Sequence, residues 1–150
     1  FSPSEISEEK REKLDNYNWK LGSMDGEMHY FSETQGEVAI VNLWATWCPP
    51  CIAEMPSFQK LYRDYGDKVN FYFVSSEELT DVIPYMRKKG YTFPVFQPLS
   101  VPPKKFESGS LPTTYVISRS GAIVVNKKGS ANWNDDSFRE LLDELLKEQL

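Results

Sequence analysis

The sequence predicts an α/β fold, a mixed central sheet flanked by helices, and three observations carry that expectation. The run "VAIVNLWA" (38–45) is rich in β-branched residues and does not alternate, the pattern of a strand buried on both faces. The segment after it repeats apolar residues every three or four positions, which places them on one face of a helix. Further on, "TTYVIS" (113–118) and "AIVVNKK" (122–128) are separated by a short "RSG" turn and read as an antiparallel hairpin. Strands alternating with helices and closed by a hairpin make layers of helix on sheet.

Each element follows in chain order. The opening stretch is polar and helix-permissive, and is expected to form an N-terminal arm over 1–16 ahead of a single domain over 17–150. A strand is expected near 17–22, then a turn at Gly26 and a short strand within "GSMDGEMHYF". After the buried strand a helix is predicted from about 49 to 65, on Ile52, Met55, Phe58, Leu61, Tyr62 and Tyr65. Pro56 lies inside it, removes one donor and should kink it. "VNFYFVSS" (69–76) reads as a strand and "TDVIPYMRKKGY" (80–91) as a helix whose start is blurred by Pro84. "FPVF" (93–96) is a short extended piece, and "VPPKKFESGSLP" (101–112) a loop with at most one helical turn. Phe138, Leu141, Leu142, Leu145 and Leu146 mark a closing amphipathic helix.

Composition narrows the function. The 150 residues are 40% hydrophobic and 26% charged, ordinary for a globular chain, and the aromatics can fill a core. Net charge is −5 and the basic residues are scattered, the densest run being Arg87–Lys89, so no nucleic-acid-binding face is expected. No stretch approaches the roughly 20 apolar residues of a membrane span. The chain opens on Phe1, and any export signal or membrane anchor is expected to lie outside it.

The only two cysteines sit in "LWATWCPPCIAEMP" (43–56), with two prolines between them. A zinc site normally needs four ligands, and the chain offers Cys48, Cys51 and a distant His29, so no metal is expected. A structural disulfide across so short a loop stabilises little. Two inert core thiols would pack as small hydrophobes. The fourth reading is a redox dithiol, and the position favours it. At the first turn of a helix, unpaired N–H groups and the helix dipole stabilise an anion, which raises the thiolate fraction of Cys48. Cys51, one turn on, can then resolve a mixed disulfide. A C-x-x-C between a strand and a helix in an α/β chain is a thioredoxin-like pattern.

"NLWATWCPPCIAEMP" resembles the active-site segment of the thioredoxin superfamily, in particular its TlpA/ResA-type extracytoplasmic thiol–disulfide oxidoreductases. Trp47 directly before the first cysteine belongs to the likeness, and so does "SLPTTYVIS". The resemblance implies a cis bond at Leu111–Pro112 facing the dithiol, and an inserted helix and strand over roughly 77–100. It covers about residues 17 to 147. Asn42 departs from ordinary thioredoxins, which place an aspartate there. Asn cannot take a proton from Cys51, whereas Glu54, three residues further along the helix, lies on the same side and can. Partial desolvation would raise its pKa and suit it to proton transfer. The TlpA/ResA branch likewise carries an acid at this place.

Pro49 suits the first helical position, but Pro49 and Pro50 both remove N–H donors from the Cys48 sulfur, leaving those of Cys51 and Ile52. Cys48 should therefore be less acidic than in strong oxidants. Thioredoxin stands near roughly −270 mV and DsbA near roughly −120 mV, and a poise toward the reducing end is expected here. Trp44 is expected in the core, Trp47 and Pro112 at the substrate groove, and His29 on the surface or in a strand. The resemblance implies an extracytoplasmic disulfide reductase without metal or organic cofactor. Its partners would be a disulfide-containing substrate protein and a thiol–disulfide protein as electron donor, and haem-attachment cysteines in cytochrome c maturation are one substrate. The rival readings are an oxidase or isomerase, a binding module with a non-cycling disulfide, and a thiol peroxidase. The peroxidase pattern P-x-x-x-T/S-x-x-C is absent, since Val41 and Ala45 stand at its Pro and Thr/Ser places.

Overall fold

The buried run at 38–45 forms the middle of a seven-stranded sheet. In the computed structural model, which describes residues 2–150, the strands are β1 (Lys20–Ser23), β2 (Met28–Tyr30), β3 (Ala39–Leu43), β4 (Asn70–Val74), β5 (Val95–Pro98), β6 (Thr113–Ile117) and β7 (Ile123–Lys128). The helices are α1 (Pro49–Tyr65), α2 (Leu79–Lys89) and α3 (Asp136–Leu146). Across the sheet the order is β2-β1-β5-β4-β3-β6-β7. β3, β4 and β5 run parallel, while β1–β2, β1–β5, β3–β6 and β6–β7 pair antiparallel, so the sheet is mixed as expected. A parallel β3–β4 pair needs a crossover, and α1 supplies it, carrying the dithiol at its start.

The two faces of the sheet are covered differently. One carries all three helices over a core that includes Ile40, Phe58, Phe73, Val116, Trp133, Phe138 and Leu142. Phe58 stacks on Trp133 at 4.9 Å and meets Phe73 edge-on at the same separation. Truncating such a ring to alanine typically costs about 3–5 kcal/mol. The other face is capped by the N-terminal stretch and two single 3-10 turns, Phe31–Thr34 and Lys104–Phe106, around Trp19, Phe31, Tyr72, Phe106 and Tyr115. Residues 6–14 lie along β7, with bonds from Ile6 N–H to the Val124 carbonyl and from Ile123 N–H to the Glu12 carbonyl. The β6–β7 turn requires glycine at Gly121, whose φ is +90° and whose added Cβ would lie 3.1 Å from the Tyr17 hydroxyl.

The elements follow the sequence pattern, with shifts at their ends. β1 begins at Lys20; before it, the Trp19 carbonyl still accepts from Phe31 N–H at 2.9 Å, and the Tyr17 and Trp19 rings pack on Phe31. β3 stops at Leu43, and the rest of its apolar run turns toward the cysteines. α1 runs unbroken through Pro56, and α2 begins five residues before Pro84. The extended piece expected at 93–96 pairs as β5 two residues later, while Phe93 is buried in the core. α2 and β5 fill the segment expected to hold the inserted helix and strand. Among the described residues no helix is long and apolar enough to cross a membrane.

Candidate active site

The chain leaves the C-terminal end of β3 and enters α1 within five residues. Trp44 N–H donates to the Val74 carbonyl at 3.1 Å, extending the β3–β4 contact by one residue. Thr46 is fixed next: its N–H donates to Glu77 Oε1 at 2.8 Å and its hydroxyl to Glu77 Oε2 at 2.6 Å. Cys48 then stands at the N-cap of α1, followed by Pro49 and Pro50 at the first two helical positions. There their missing N–H groups leave no gap in the helix ladder.

Cys48 and Cys51 lie at disulfide distance with Cα atoms 5.2 Å apart. Cys48 is 4% exposed and Cys51 fully buried, whereas Trp47 beside them is 70% exposed. The Cys51 N–H donates to the Cys48 sulfur at 3.3 Å. Ile52, the other donor expected there, bonds instead to the Cys48 carbonyl at 3.0 Å, an ordinary helix bond. Among the described residues Cys51 N–H is therefore the one donor on that sulfur.

β6 brings the second part of the site. Thr113 pairs with Leu43, which sets the preceding loop at the same end of the sheet as the dithiol. The Leu111–Pro112 peptide in that loop is cis, as the resemblance implies. Leu111 is 37% exposed and lines a cavity together with Trp47.

Glu54 lies deeper than its sequence context suggests. It is 1% exposed, fully inside the core. Its Oε1 accepts from Trp133 Nε1 at 2.7 Å and from Ala131 N–H at 3.4 Å, and its Oε2 accepts from Asn42 Nδ2 at 3.0 Å. Asn42 also donates to Thr114 Oγ1 at 2.9 Å, and its own Oδ1 is buried without a partner among the described residues. Burial pushes the carboxyl up to about 7; bonds from Trp133, Asn42 and Ala131 and the charge of Lys127 oppose it without cancelling it. A carboxyl that titrates near neutrality can take and return a proton there.

Sequence reasoning missed Trp133, Ala131, Thr114 and the Asn42–Glu54 bond. The available signal was Trp133 itself, an aromatic alone in the polar stretch "SANWNDD". It also missed Glu77. Trp44 is buried as expected, and His29 lies half-buried in β2, edge-on to Phe96 at 5.5 Å. Asp25, Glu27 and His29 form the one group of three ligating side chains among the described residues, and it includes neither cysteine.

A disulfide-spaced cysteine pair at a helix start, with a cis-proline loop at the same sheet end, defines a thiol–disulfide oxidoreductase of the thioredoxin superfamily. The AhpC/TSA family model matches residues 15–126, and the chain belongs to that family. Among its relatives are ResA-type proteins. The thiol-disulfide oxidoreductase ResA of Halalkalibacterium halodurans is 33% identical over 131 residues, covering 83% of this chain and 73% of that one. The thioredoxin-like protein YneN of Bacillus subtilis is 29% identical over 128 residues, covering 82% and 74%. A thioredoxin-family thiol:disulfide interchange protein from Chlorobium tepidum superposes with a TM-score of 0.71 at 25% identity, covering 89% of this chain and 97% of that one.

Proposed function

We propose that the enzyme works mainly as a reductase of protein disulfides. The observation that carries this direction is the poverty of donors at Cys48, whose sulfur accepts one N–H because Pro49 and Pro50 supply none. A less stabilised thiolate makes a weaker oxidant and a better reductant. In the reduced protein the Cys48 thiolate attacks a substrate disulfide, forms a mixed disulfide and expels one substrate thiolate. Glu54 takes the proton of Cys51. The Cys51 thiolate then attacks the Cys48 sulfur, releases the second substrate thiolate and closes the Cys48–Cys51 disulfide. Two electrons pass to the substrate, and a dithiol donor protein restores them.

Trp47, Pro49, Pro50, Leu111 and Pro112 frame the groove across which the substrate lies. The resemblance to the TlpA/ResA branch supports an extracytoplasmic setting, where disulfides persist. It also supports haem-attachment cysteines in cytochrome c maturation as a substrate. The test is the equilibrium potential of the couple against a thiol buffer, with Cys51→Ser in parallel. A potential below about −180 mV, the level of protein disulfide isomerase, and a trapped substrate adduct on Cys48 are expected. A higher potential would point to an oxidase or isomerase.

A further inference from the structure

The face around the dithiol opens into a cavity of about 410 Å³, walled by Trp19, Trp44, Trp47 and Phe106 and reaching Leu111. That volume is in the range of roughly 300–1,000 Å³ typical of ligand sites. Three of the chain's four tryptophans line it; Trp19 and Trp44 are buried, and Trp47, 70% exposed, offers its ring to the opening. Aromatic faces carry negative quadrupole charge and attract cations.

Glu77 adds a carboxylate to these walls. Its Oε1 accepts from Thr46 N–H and from Ser75 Oγ, each at 2.8 Å, and its Oε2 accepts from Thr46 Oγ1 at 2.6 Å. A carboxylate has about four acceptor positions, so one on Oε2 is left. None of the ion pairs among the described residues includes Glu77. The cavity therefore combines an apolar wall, with the exposed Trp47 ring, and a carboxylate that belongs to none of those ion pairs. A lysine or arginine side chain answers both, its stem lying on the rings and its head reaching the carboxylate. An acidic side chain would be repelled by both.

Disulfide exchange at Cys48 puts the substrate backbone over this mouth, since Trp47 adjoins Cys48 and also walls the cavity. We infer that the cavity is a subsite for a lysine or arginine of the substrate polypeptide, close in sequence to the cysteine being exchanged. This rests on Cys48 being the attacking thiol. The net charge of −5 draws cationic segments in the same direction.

The test uses the reduced full chain and disulfide peptides that carry arginine, its neutral isostere citrulline, or glutamate at each of the two positions flanking the cysteine. Wild type should reduce the best arginine peptide about tenfold faster than its citrulline counterpart, with glutamate slowest. In Glu77→Gln, whose amide oxygen still receives the Thr46 N–H, the arginine-to-citrulline ratio should fall to about one. Equal rates for the three peptides on wild type would overturn the inference without any variant. So would an unchanged ratio in Glu77→Gln. A small neutral disulfide is run beside them. If it is reduced while the peptides show no preference, only the subsite is wrong. If neither it nor any peptide is reduced, attack by Cys48 is wrong and the subsite falls with it.

Discussion

Two glutamates flank the dithiol, and their surroundings set them apart. Glu54 is sealed in the core one helical turn after Cys51 on α1, with Trp133, Ala131 and Asn42 donating to it. Glu77 lies half-buried at the lip of an open cavity, bound to Thr46 in the loop ahead of Cys48. Burial pushes the first up to about 7, where it can exchange a proton, while the second lines the cavity with one acceptor position left. On the proposed roles, one residue type would serve proton transfer on the inner side of the disulfide and substrate recognition on the outer side. Solvent access decides which.

The largest effects should come from the inner side. Cys48→Ser removes the nucleophile and should abolish reduction of any disulfide, measured with a small disulfide as well as a protein one. Glu54→Gln should slow release of the mixed disulfide by about 10²-fold at pH 7, the usual scale for a lost acid–base group. Stopped-flow kinetics of the single turnover would check this, and a change below about threefold would place the Cys51 proton elsewhere.

Stability should report the same burial. Glu54 has a folded pKa of about 7 against an ordinary 4.5, so between those values the folded chain holds a proton that the unfolded chain has lost. Its contribution is therefore fully present below about pH 4.5 and is lost as pH rises toward 7, amounting to about 3 kcal/mol. Urea unfolding of the oxidised protein at pH 5 and pH 8 should show this fall in wild type and a much flatter response in Glu54→Gln. Trp133→Phe keeps an aromatic ring against Phe58 but deletes the 2.7 Å bond to Glu54. It should cost about 1–3 kcal/mol at pH 8 and less at pH 5, by the same measurement.

The outer side should give the smallest change in stability. Trp47 is 70% exposed, and Trp47→Ala should alter unfolding free energy by no more than about 0.5 kcal/mol. It should nevertheless slow exchange with protein disulfides more than with small ones. A large loss of stability would show that Trp47 holds the loop rather than facing substrate.

These contrasts also explain what could be read from the chain. Cys48, Cys51 and Glu54 share one helix, so their spacing alone puts them together. The buried β3 and the amphipathic α1 and α3 were legible for the same local reason. The partners of the two glutamates were not. Trp133 lies 79 residues from Glu54 and Thr46 lies 31 from Glu77, and only the pairing of β3 with β4 and β6 brings such groups together. The degree of burial of Glu54 was hidden too, because it depends on α3 and the β7–α3 loop closing over α1. The cis bond at Leu111–Pro112 was legible only through the family resemblance, since most X–Pro bonds are trans.

The proposed mechanism stands or falls with transfer of the Cys51 proton to Glu54. The measurement that tests it most directly is the potential of the Cys48–Cys51 couple from pH 5 to 9, in wild type and in Glu54→Gln. A Glu54 that takes the Cys51 proton has different pKa values in the oxidised and reduced forms, so wild type should change slope near pH 7 and the variant should not. The same slope throughout in both proteins would contradict it.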